Sequence, residues 1–177
     1  MQPLTCPIPA NINPLQSNGF LFGITKLPEI SFFCQEVTLP ELQAPAAEMP
    51  TPLVSIPIPG EKLTFGDLTV TFLISEDMAN YIAVHNWMVG LGFPETHEQY
   101  RNFIRTRSDS VNTNELISGY SDGVLQILNS SNNAARTIRF TDLFPTSLTQ
   151  LQLQSTVTDV SYLAASATFM YTTYRFE

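Results

Sequence analysis

Residues 62–94 read KLTFGDLTVTFLISEDMANYIAVHNWMVGLGFP and predict a strand that leads directly into a helix. Between residues 68 and 74 an apolar side chain recurs at every second position, which is the pattern of a half-buried strand. Ser75 follows as the predicted N-cap, because its hydroxyl can accept a hydrogen bond from a free N–H of the first turn. Glu76 and Asp77 then place negative charge at the positive end of the helix dipole.

The helix predicted after this strand spans about 76–90 and ends in the glycines and proline of 90–94. Its apolar face at helical spacing consists of Met78, Tyr81, Ile82, His85, Met88 and Val89. We take Met78, Ile82 and Trp87 as the anchors of the helix in the core. The histidine of the face is therefore predicted to be a buried structural residue.

The chain carries little charge for its length. Only 14% of its 177 residues are charged, whereas about a quarter are charged in an average soluble protein. We interpret this composition, together with 13 prolines, as that of a protein that buries much of its surface in an assembly. A neutral β protein coated with hydroxyl and amide side chains is the alternative.

The net charge of −8 lies in the first 100 residues, where ten acids face two lysines. In the rest of the chain six acids balance six arginines. An acidic protein gains no affinity for nucleic acid by neutralising phosphates, so specific binding of nucleic acid is not predicted.

The two cysteines, Cys6 and Cys34, show no metal-binding spacing. Cys34 lies in an apolar pattern and is interpreted as a small core residue, with a disulfide as the alternative. The first residues lack the basic and apolar regions of a signal peptide, and no apolar run is long enough to cross a bilayer. We therefore expect a protein that is made in a cytoplasm and is not inserted into a membrane.

The chain is predicted to form an extended Pro/Asn-rich arm at 1–18 and a single domain at 19–177. The arm is either a flexible tail or a strap that lies over a neighbour. The domain begins with strands predicted at 19–26 and 30–38, joined as a hairpin.

A long loop is predicted at 41–52, which contains three prolines and has no usable period. A short edge strand at 53–57 and a turn at 58–62 follow it. Long ordered loops in compact domains commonly make contacts. The candidate contact residues are Leu42, Ala44, Pro45, Met49, Pro50, Pro52 and Ile58. Deleting Gln43–Glu48 is expected to leave the fold intact and to abolish the contact.

A short second helix is predicted at 96–105. Arg101, Arg105 and Arg107 form the only basic cluster, which is either a solvated helix face or a contact site. A polar loop is predicted after the cluster, at 108–122.

The last third of the chain predicts β structure. Strands at 123–128 and 134–140 flank an Asn/Ser-rich turn and form the clearest hairpin. A tight connection is predicted at 142–147, Leu and Gln alternate at 148–156, and one long strand is predicted at 161–176. The whole chain thus predicts seven or eight strands and one or two helices.

No pattern for catalysis, cofactor binding or metal binding stands out. The two histidines, His85 and His97, form no metal-binding motif, and neither a nucleophile elbow nor a glycine-rich phosphate loop occurs. The paired acids at 76–77 and at 95 and 98 are explained by helix starts. The sequence therefore predicts a protein that is not an enzyme and has no cofactor and no metal.

Three segments together resemble the tail-tube protein family of contractile-tailed bacteriophages, which includes the tube initiator at the baseplate. They are QEVTLPELQAPAAEMPTP (35–52), FGDLTVTFLISEDMANYIAVHNW (65–87) and IRFTDLFPTSLTQLQL (138–153), the last followed by a strand that ends in YRFE. The resemblance covers residues 19–177, although the proline-rich start and the nearly uncharged 41–52 segment differ from the family's pattern.

The resemblance implies a mainly β (α+β) fold, a tail-tube-type sandwich or barrel of two packed antiparallel sheets flanked by one main helix and a short second helix. It implies a structural virion protein that forms a ring of six copies, whose inner sheets join into a continuous barrel. The ring would build, initiate or cap the tube at the baseplate or hub. In such an assembly we expect the long 41–60 segment to contact a neighbouring ring. DNA would pass through an acidic lumen without specific binding.

A receptor- or carbohydrate-binding β-sandwich of a phage particle is the alternative function. Such a module needs an exposed aromatic platform, for which Tyr162, Tyr171 and Tyr174 are the candidates. Since Tyr171 and Tyr174 are three residues apart in one predicted strand, they are expected to face opposite sides and to make a poor platform.

Overall fold

The computed structural model describes residues 13–92, 98, 119–156 and 162–177, which contain eleven strands and two helices. The strands are β1 (Phe20–Ile24), β2 (Cys34–Thr38), β3 (Leu42–Gln43), β4 (Ala46–Pro50), β5 (Ser55–Pro59), β6 (Thr64–Phe65), β7 (Leu68–Leu73), β8 (Ser121–Leu128), β9 (Ala134–Leu148), β10 (Ala164–Met170) and β11 (Thr173–Phe176). The helices are α1 (Pro28–Phe33) and α2 (Ala79–Gly92). The mainly β fold class is confirmed. The basic cluster Arg101, Arg105 and Arg107 and most of the predicted 96–105 helix lie outside the described residues.

The main sheet is antiparallel, with strand order β1-β8-β9-β10-β7-β2, and β11 pairs with β9. The long strand β9 lies in the middle of this order and contributes to both parts of the sheet. Its residues 134–143 pair with β8 and β11, and its residues 144–148 pair with β10. Asp142, with φ of 58°, marks the change of partner, and aspartate tolerates this left-handed conformation better than most residues. We call β1, β8, β11 and residues 134–143 the first half-sheet, and β2, β7, β10 and residues 144–148 the second half-sheet.

Both half-sheets and both helices contribute to one core. The fully buried large side chains include Phe22 and Phe140 of the first half-sheet and Phe72 and Phe169 of the second. The alternation predicted for residues 68–72 is confirmed, because Leu68, Val70 and Phe72 are all 0% exposed. The predicted hairpin of the last third is also confirmed as β8–β9, with an Asn129-centred turn between the strands.

Helix α2 begins later and buries a different face than the sequence predicts. Ser75 is not the N-cap, since the helix starts at Ala79, whose N–H donates to Asp77 Oδ1 at 3.2 Å. Met78 and Ile82 are 37% and 47% exposed and are not core anchors, whereas Trp87 is only 3% exposed. The buried residues of the helix are Asn80, Val84, Trp87 and Gly90, and His85 is exposed. Apolar residues of the helix itself occur on all of its sides, so their spacing does not predict which face is buried.

Asn80 explains why the buried face passes through a polar residue. Its Nδ2 donates to the Leu73 carbonyl at 2.7 Å, and its Oδ1 accepts from the backbone N–H of Ser75 and of Tyr81. A buried amide costs stability unless it is hydrogen-bonded, and here both ends of the amide have partners. Asn80 therefore ties the end of β7 to the start of α2.

The strand predicted at 30–38 is wrong in its first half, where α1 forms instead. Pro28 at the first position and Glu29 in the first turn are helix-start signals, and they prevail over the β-prone residues that follow. The predicted hairpin is wrong for the same reason, because α1 separates β1 from β2. β1 pairs with β8, and β2 pairs with β7.

Three elements predicted near the C-terminus also differ from the structure. The connection predicted at 142–147 is part of β9, because Leu143 and Pro145 stay buried while the strand bends. Residues 149–154 form no strand. The single strand predicted at 161–176 is two strands, β10 and β11, which pair with the two different parts of β9. The 108–122 loop lies mostly outside the described residues, and β8 begins at Ser121.

Candidate assembly surfaces

A projecting β-hairpin replaces the loop predicted at 41–52. Strands β4 and β5 pair from Ala46–Pro59 at the base to Pro50–Ser55 at the tip, and all ten of their residues are exposed. The seven candidate contact residues are all exposed and lie along this hairpin and at its base. An isolated two-stranded hairpin is only marginally stable in water, so packing against a further surface would stabilise this exposed hairpin.

The tip of the hairpin presents apolar side chains in a fixed turn. Leu53 is 97% exposed and Val54 is 63% exposed. The Thr51 hydroxyl donates to the Val54 carbonyl, and the Val54 N–H donates back to the same hydroxyl at 3.2 Å. Met49, Ile56 and Ile58 add exposed apolar surface along the strands. Exposed apolar patches of this kind mark interaction sites.

The base of the hairpin closes through one glycine. The Gly60 N–H donates to the Pro45 carbonyl at 2.8 Å, and a Cβ at Gly60 would lie 2.3 Å from that carbonyl oxygen. Only glycine permits such a close approach of two backbones.

We therefore expect Gly60→Ala to open the base of the hairpin and to weaken assembly at least several-fold, while the core keeps its stability within about 1 kcal/mol. Gly92→Ala is the matched control, because among the described residues no atom outside its own helix and chain neighbours lies within 4 Å of the Cβ position there. The measurements are sedimentation for assembly and urea unfolding for stability. Equal assembly of the two variants would contradict this role for Gly60.

An open apolar groove lies where β7 leads into α2. Its volume is about 660 Å³, within the roughly 300–1,000 Å³ typical of ligand pockets. The walls consist of Phe33, Leu73, Ile74, Ser75, Glu76, Met78, Leu151, Leu153, Tyr162 and Leu163. Leu153 and Tyr162 are 78% and 83% exposed, and Met78 holds a left-handed backbone with φ of 56°. Such backbone strain is concentrated at functional sites.

The outward face of the second half-sheet is lined by hydroxyl groups. Two rows cross its strands: Thr38, Thr69, Thr168 and Ser147 in one, and Glu36, Thr71 and Ser166 in the other. Thr149, just beyond β9, accepts a hydrogen bond from the Ser166 N–H at 2.8 Å. In β7 and β10 these residues alternate with fully buried ones, so they point away from the core. The two rows contain one acid and no Lys or Arg.

The outward face of the first half-sheet differs in charge. Arg139 and Arg175 are paired neighbours on β9 and β11, and Arg139 Nε lies 3.2 Å from a Glu177 carboxylate oxygen. Because both side chains of this ion pair are 52% exposed, the pair adds little stability. This face therefore presents two guanidinium groups to its surroundings.

Three strands lie at margins of the sheet as the described residues form it. Within the described residues, β1 pairs only with β8, β2 only with β7, and β11 only with β9. Open strand edges expose unsatisfied N–H and C=O groups and are templates for pairing with another chain.

The family follows from a comparison over almost the full length. The family model for the phage tail tube protein matches residues 5–177. The chain belongs to the phage tail tube protein family. Membership makes it a structural tube protein of a phage or phage-like particle and not an enzyme. The resemblance seen in the sequence is confirmed. No curated protein sequence matches the chain.

Solved structures share the fold of this tail tube protein at low sequence identity. The tube-terminating cap of the anti-feeding prophage matches with a TM-score of 0.58 and 14% identity, covering 99% of this chain and 98% of that one. The anti-feeding prophage baseplate, 6-fold symmetrised, matches with a TM-score of 0.57 and 14% identity, covering 93% of this chain and 96% of that one. The sheath–tube complex of the PVC extracellular contractile injection system, in the extended state, matches with a TM-score of 0.56 and 15% identity, covering 93% of this chain and 91% of that one.

Tyr171 and Tyr174 of the tail tube protein do not form a binding platform, although the reason differs from the prediction. The chain bends between β10 and β11, so the two rings lie on the same side, 6.1 Å apart. Both pack against Phe65 of β6 and against Phe140 of the core. The third candidate, Tyr162, lies in the groove wall. The arrangement gives no support to a sugar-binding surface.

Burial raises the pKa of the Tyr171 hydroxyl to about 12, and the charges of Tyr174 and Asp67 act in the same direction. The hydroxyl donates to the Gly66 carbonyl at 3.0 Å. Since the neutral form is favoured in the folded state, this contribution to stability is complete below pH 10 and is lost as the pH rises to about 12.

We expect the stability difference between the wild type and Tyr171→Phe to shrink between pH 9 and pH 12, because only the wild type loses this contribution there. Urea unfolding at several pH values provides the measurement. Tyr162→Phe controls for the loss of a tyrosine hydroxyl at an exposed site. A difference that stays constant over this range would refute the argument.

No chemistry of catalysis or metal binding is evident in the described part of the tail tube protein. No group of three or more His, Cys, Asp or Glu side chains there could hold a metal ion. Cys34 is a free thiol, and burial raises its pKa to about 11, which keeps it protonated at neutral pH. Neither helix in these residues has the length and apolar composition needed to span a bilayer.

Proposed function

We propose that six copies of this tail tube protein close into a ring and that rings stack into the inner tube of a contractile tail. Family membership and the open sheet margins carry the proposal, because an antiparallel sheet with free edges is completed when identical copies join edge to edge. The six-fold baseplate among the similar structures supports the ring number. Residues 19–177 form the ring domain in this proposal.

The second half-sheet lines the lumen in this proposal. Its margins are β2 and residues 144–148 of β9, which pair with β10 on one side only within the described chain. Pro145 suits such a margin, since proline in a sheet is confined to edges and bulges. Joining β2 of one copy to this part of β9 in the next gives a continuous barrel.

The charge of the two faces favours this orientation. DNA that passes through a tube must not be held by the wall, and guanidinium groups would bind its phosphates. Arg139 and Arg175 lie on the first half-sheet, whereas the hydroxyl rows of the second half-sheet contain no cation. With Glu36 as the one charged residue of the two rows, this wall is weakly acidic, as the resemblance implies for the lumen.

The ring belongs to the virion and is assembled in the host cytoplasm. Its neighbours are further tube rings and the proteins of the baseplate or hub, and the same fold serves a main tube subunit, an initiator or a cap. The matching cap, baseplate and sheath–tube structures support all three positions.

Electron microscopy and native mass measurement of the purified protein test the proposal directly. Rings with six-fold symmetry, alone or stacked, are the expected result. A monomer at every concentration tested would overturn it.

Thr71→Lys tests the lumen assignment. It places one lysine per copy on the wall, so rings and tubes should form normally while DNA passage slows on the order of tenfold. Thr137→Lys adds the same charge to the first half-sheet and should not slow DNA passage. The measurement is the rate of DNA ejection from particles that carry each variant. Slower ejection with Thr137→Lys alone would assign the lumen to the first half-sheet.

A further inference from the structure

The strand β1 lies at an edge of the first half-sheet, and its pairing with β8 shows which of its backbone groups face outward. Gly19, just before β1, accepts a hydrogen bond from the Leu128 N–H at 2.9 Å. Thr25, just after β1, donates to the Asp122 carbonyl at 3.0 Å. Hydrogen bonding alternates along an antiparallel strand, so every second residue of β1 turns its N–H and C=O groups away from β8. These residues are Phe20, Phe22 and Ile24.

Helix α1 and the turn before it lie on this outer side of β1. The Ser31 hydroxyl donates to the Phe22 carbonyl at 2.6 Å, and the Leu27 N–H donates to the Ile24 carbonyl at 3.0 Å. Ile30, which is only 1% exposed, anchors the helix in the core. Two of the three outward carbonyls of β1 are therefore already hydrogen-bonded within the chain.

The margins proposed to close the ring lack such a cover. In the part of the chain that the structure describes, no hydrogen bond from another segment reaches the outer side of β2 or of residues 144–148. We propose that α1 covers β1 and prevents it from pairing with a second copy, so that copies join only through the second half-sheet. This inference rests on the ring proposed above and adds a reason why one half-sheet closes it.

The sequence of β1 makes a cover necessary. FLFGI contains neither a charge nor a proline, which are the residues that protect many natural edge strands, whereas covering the edge with a helix is another solution. The first half-sheet faces away from the lumen in the proposed ring. Two β1 strands that paired about a two-fold axis would therefore join rings side by side, which does not build a tube.

Replacing Ser31 tests the cover. The residue is exposed, so Ser31→Thr, Ser31→Ala and Ser31→Gly should all fold, which an unchanged urea midpoint verifies. Threonine keeps the hydroxyl, alanine removes it, and glycine also lowers the helix propensity of α1. Electron microscopy and native mass measurement then give the fraction of rings joined side by side. This fraction should equal that of the wild type for threonine, rise several-fold for alanine and rise further for glycine.

A second substitution separates strand pairing from non-specific adhesion. Leu21 is 57% exposed on β1, and Phe32 is 86% exposed on α1. Added to Ser31→Ala, Leu21→Lys should return the joined fraction to the wild-type level, because paired β1 strands would bring two lysines close together. Phe32→Lys adds the same charge and removes a larger exposed apolar side chain, but it lies outside β1 and should leave the rings joined.

Three results would overturn the inference while leaving the ring intact. They are alanine and glycine variants with no more joined rings than the wild type, a threonine variant that joins like alanine, and equal rescue by the two lysines. If the wild type forms no rings, the proposed function fails, and the same variants are compared as separate chains. Dimers of Ser31→Ala at a concentration where the wild type is monomeric would still support the cover, whereas monomers of both would refute it.

Discussion

Replacing Trp87 by alanine is expected to lower the free energy of unfolding by about 3–5 kcal/mol. The side chain is 3% exposed and occupies the centre of the face that α2 turns to the sheet. Truncation would leave a cavity next to Phe169, whose ring centroid lies 6.2 Å from that of Trp87. Such cavities close only partially, because the surrounding core is already packed.

Two further contacts add to the expected loss. The indole N–H donates to the Gly119 carbonyl at 2.9 Å, and Lys26 Nζ lies 4.6 Å from the ring centroid. Trp87→Phe keeps an aromatic ring but removes the hydrogen bond, so its cost should be clearly smaller than that of alanine.

The measurement is urea unfolding of the dilute protein, followed by circular dichroism because the variant lacks the only tryptophan. Ile82→Ala is the matched control on the same helix, and since Ile82 is 47% exposed it should cost less than about 1 kcal/mol. Equal losses in the two variants would show that α2 does not hold the core through Trp87.

The parts of the fold that follow from the sequence are those with a single local signal. Residues 68–72 alternate strictly and are half-buried, and the Asn-rich segment 129–133 can only turn between its two flanking strands. In both segments the local preference and the tertiary structure agree, so the sequence pattern alone predicts the element correctly.

Two misplaced elements have competing signals. Residues 30–33 are β-prone but follow a proline and an acid that start a helix, and the helix forms. Asp142 and Pro145 are typical turn residues, yet β9 continues through both because it bends from one half-sheet into the other. The partner strands that decide these positions are distant in sequence.

The candidate surfaces depend even more on tertiary structure. Residues 41–60 are rich in apolar and proline residues, and this composition predicts a contact segment. The pairing of β4 with β5 is not predicted, because proline is unfavourable in most strand positions. The groove unites residues 33, 73–78, 151–153 and 162–163, whose proximity no periodicity reveals. The helical spacing of Met78 predicts a core position, whereas in the structure Met78 has a left-handed backbone and lines the groove.

Replacing the whole hairpin Ala46–Pro59 by Asn-Gly should leave the fold intact and abolish tube growth. The Gly60 N–H and the Pro45 carbonyl oxygen are 2.8 Å apart, which is the hydrogen bond that a two-residue β-turn closes. Because the residues removed from the strands are all exposed, the free energy of unfolding should change by less than about 1 kcal/mol. The shorter deletion of Gln43–Glu48 is less suitable, since it cuts both the β3–β6 and the β4–β5 ladders.

The loss of tube growth should be complete if the exposed 46–59 hairpin makes the contact between rings that the sequence predicts for this segment. Single rings in electron micrographs, together with an unchanged urea midpoint, are the expected pair of observations. A variant that keeps the hairpin but carries Glu48→Gln should stack normally, since this acid lies on the strand and not at the tip. Long tubes from the chain without the hairpin would show that rings of this protein adhere through other surfaces, and the function proposed for 46–59 would then be wrong.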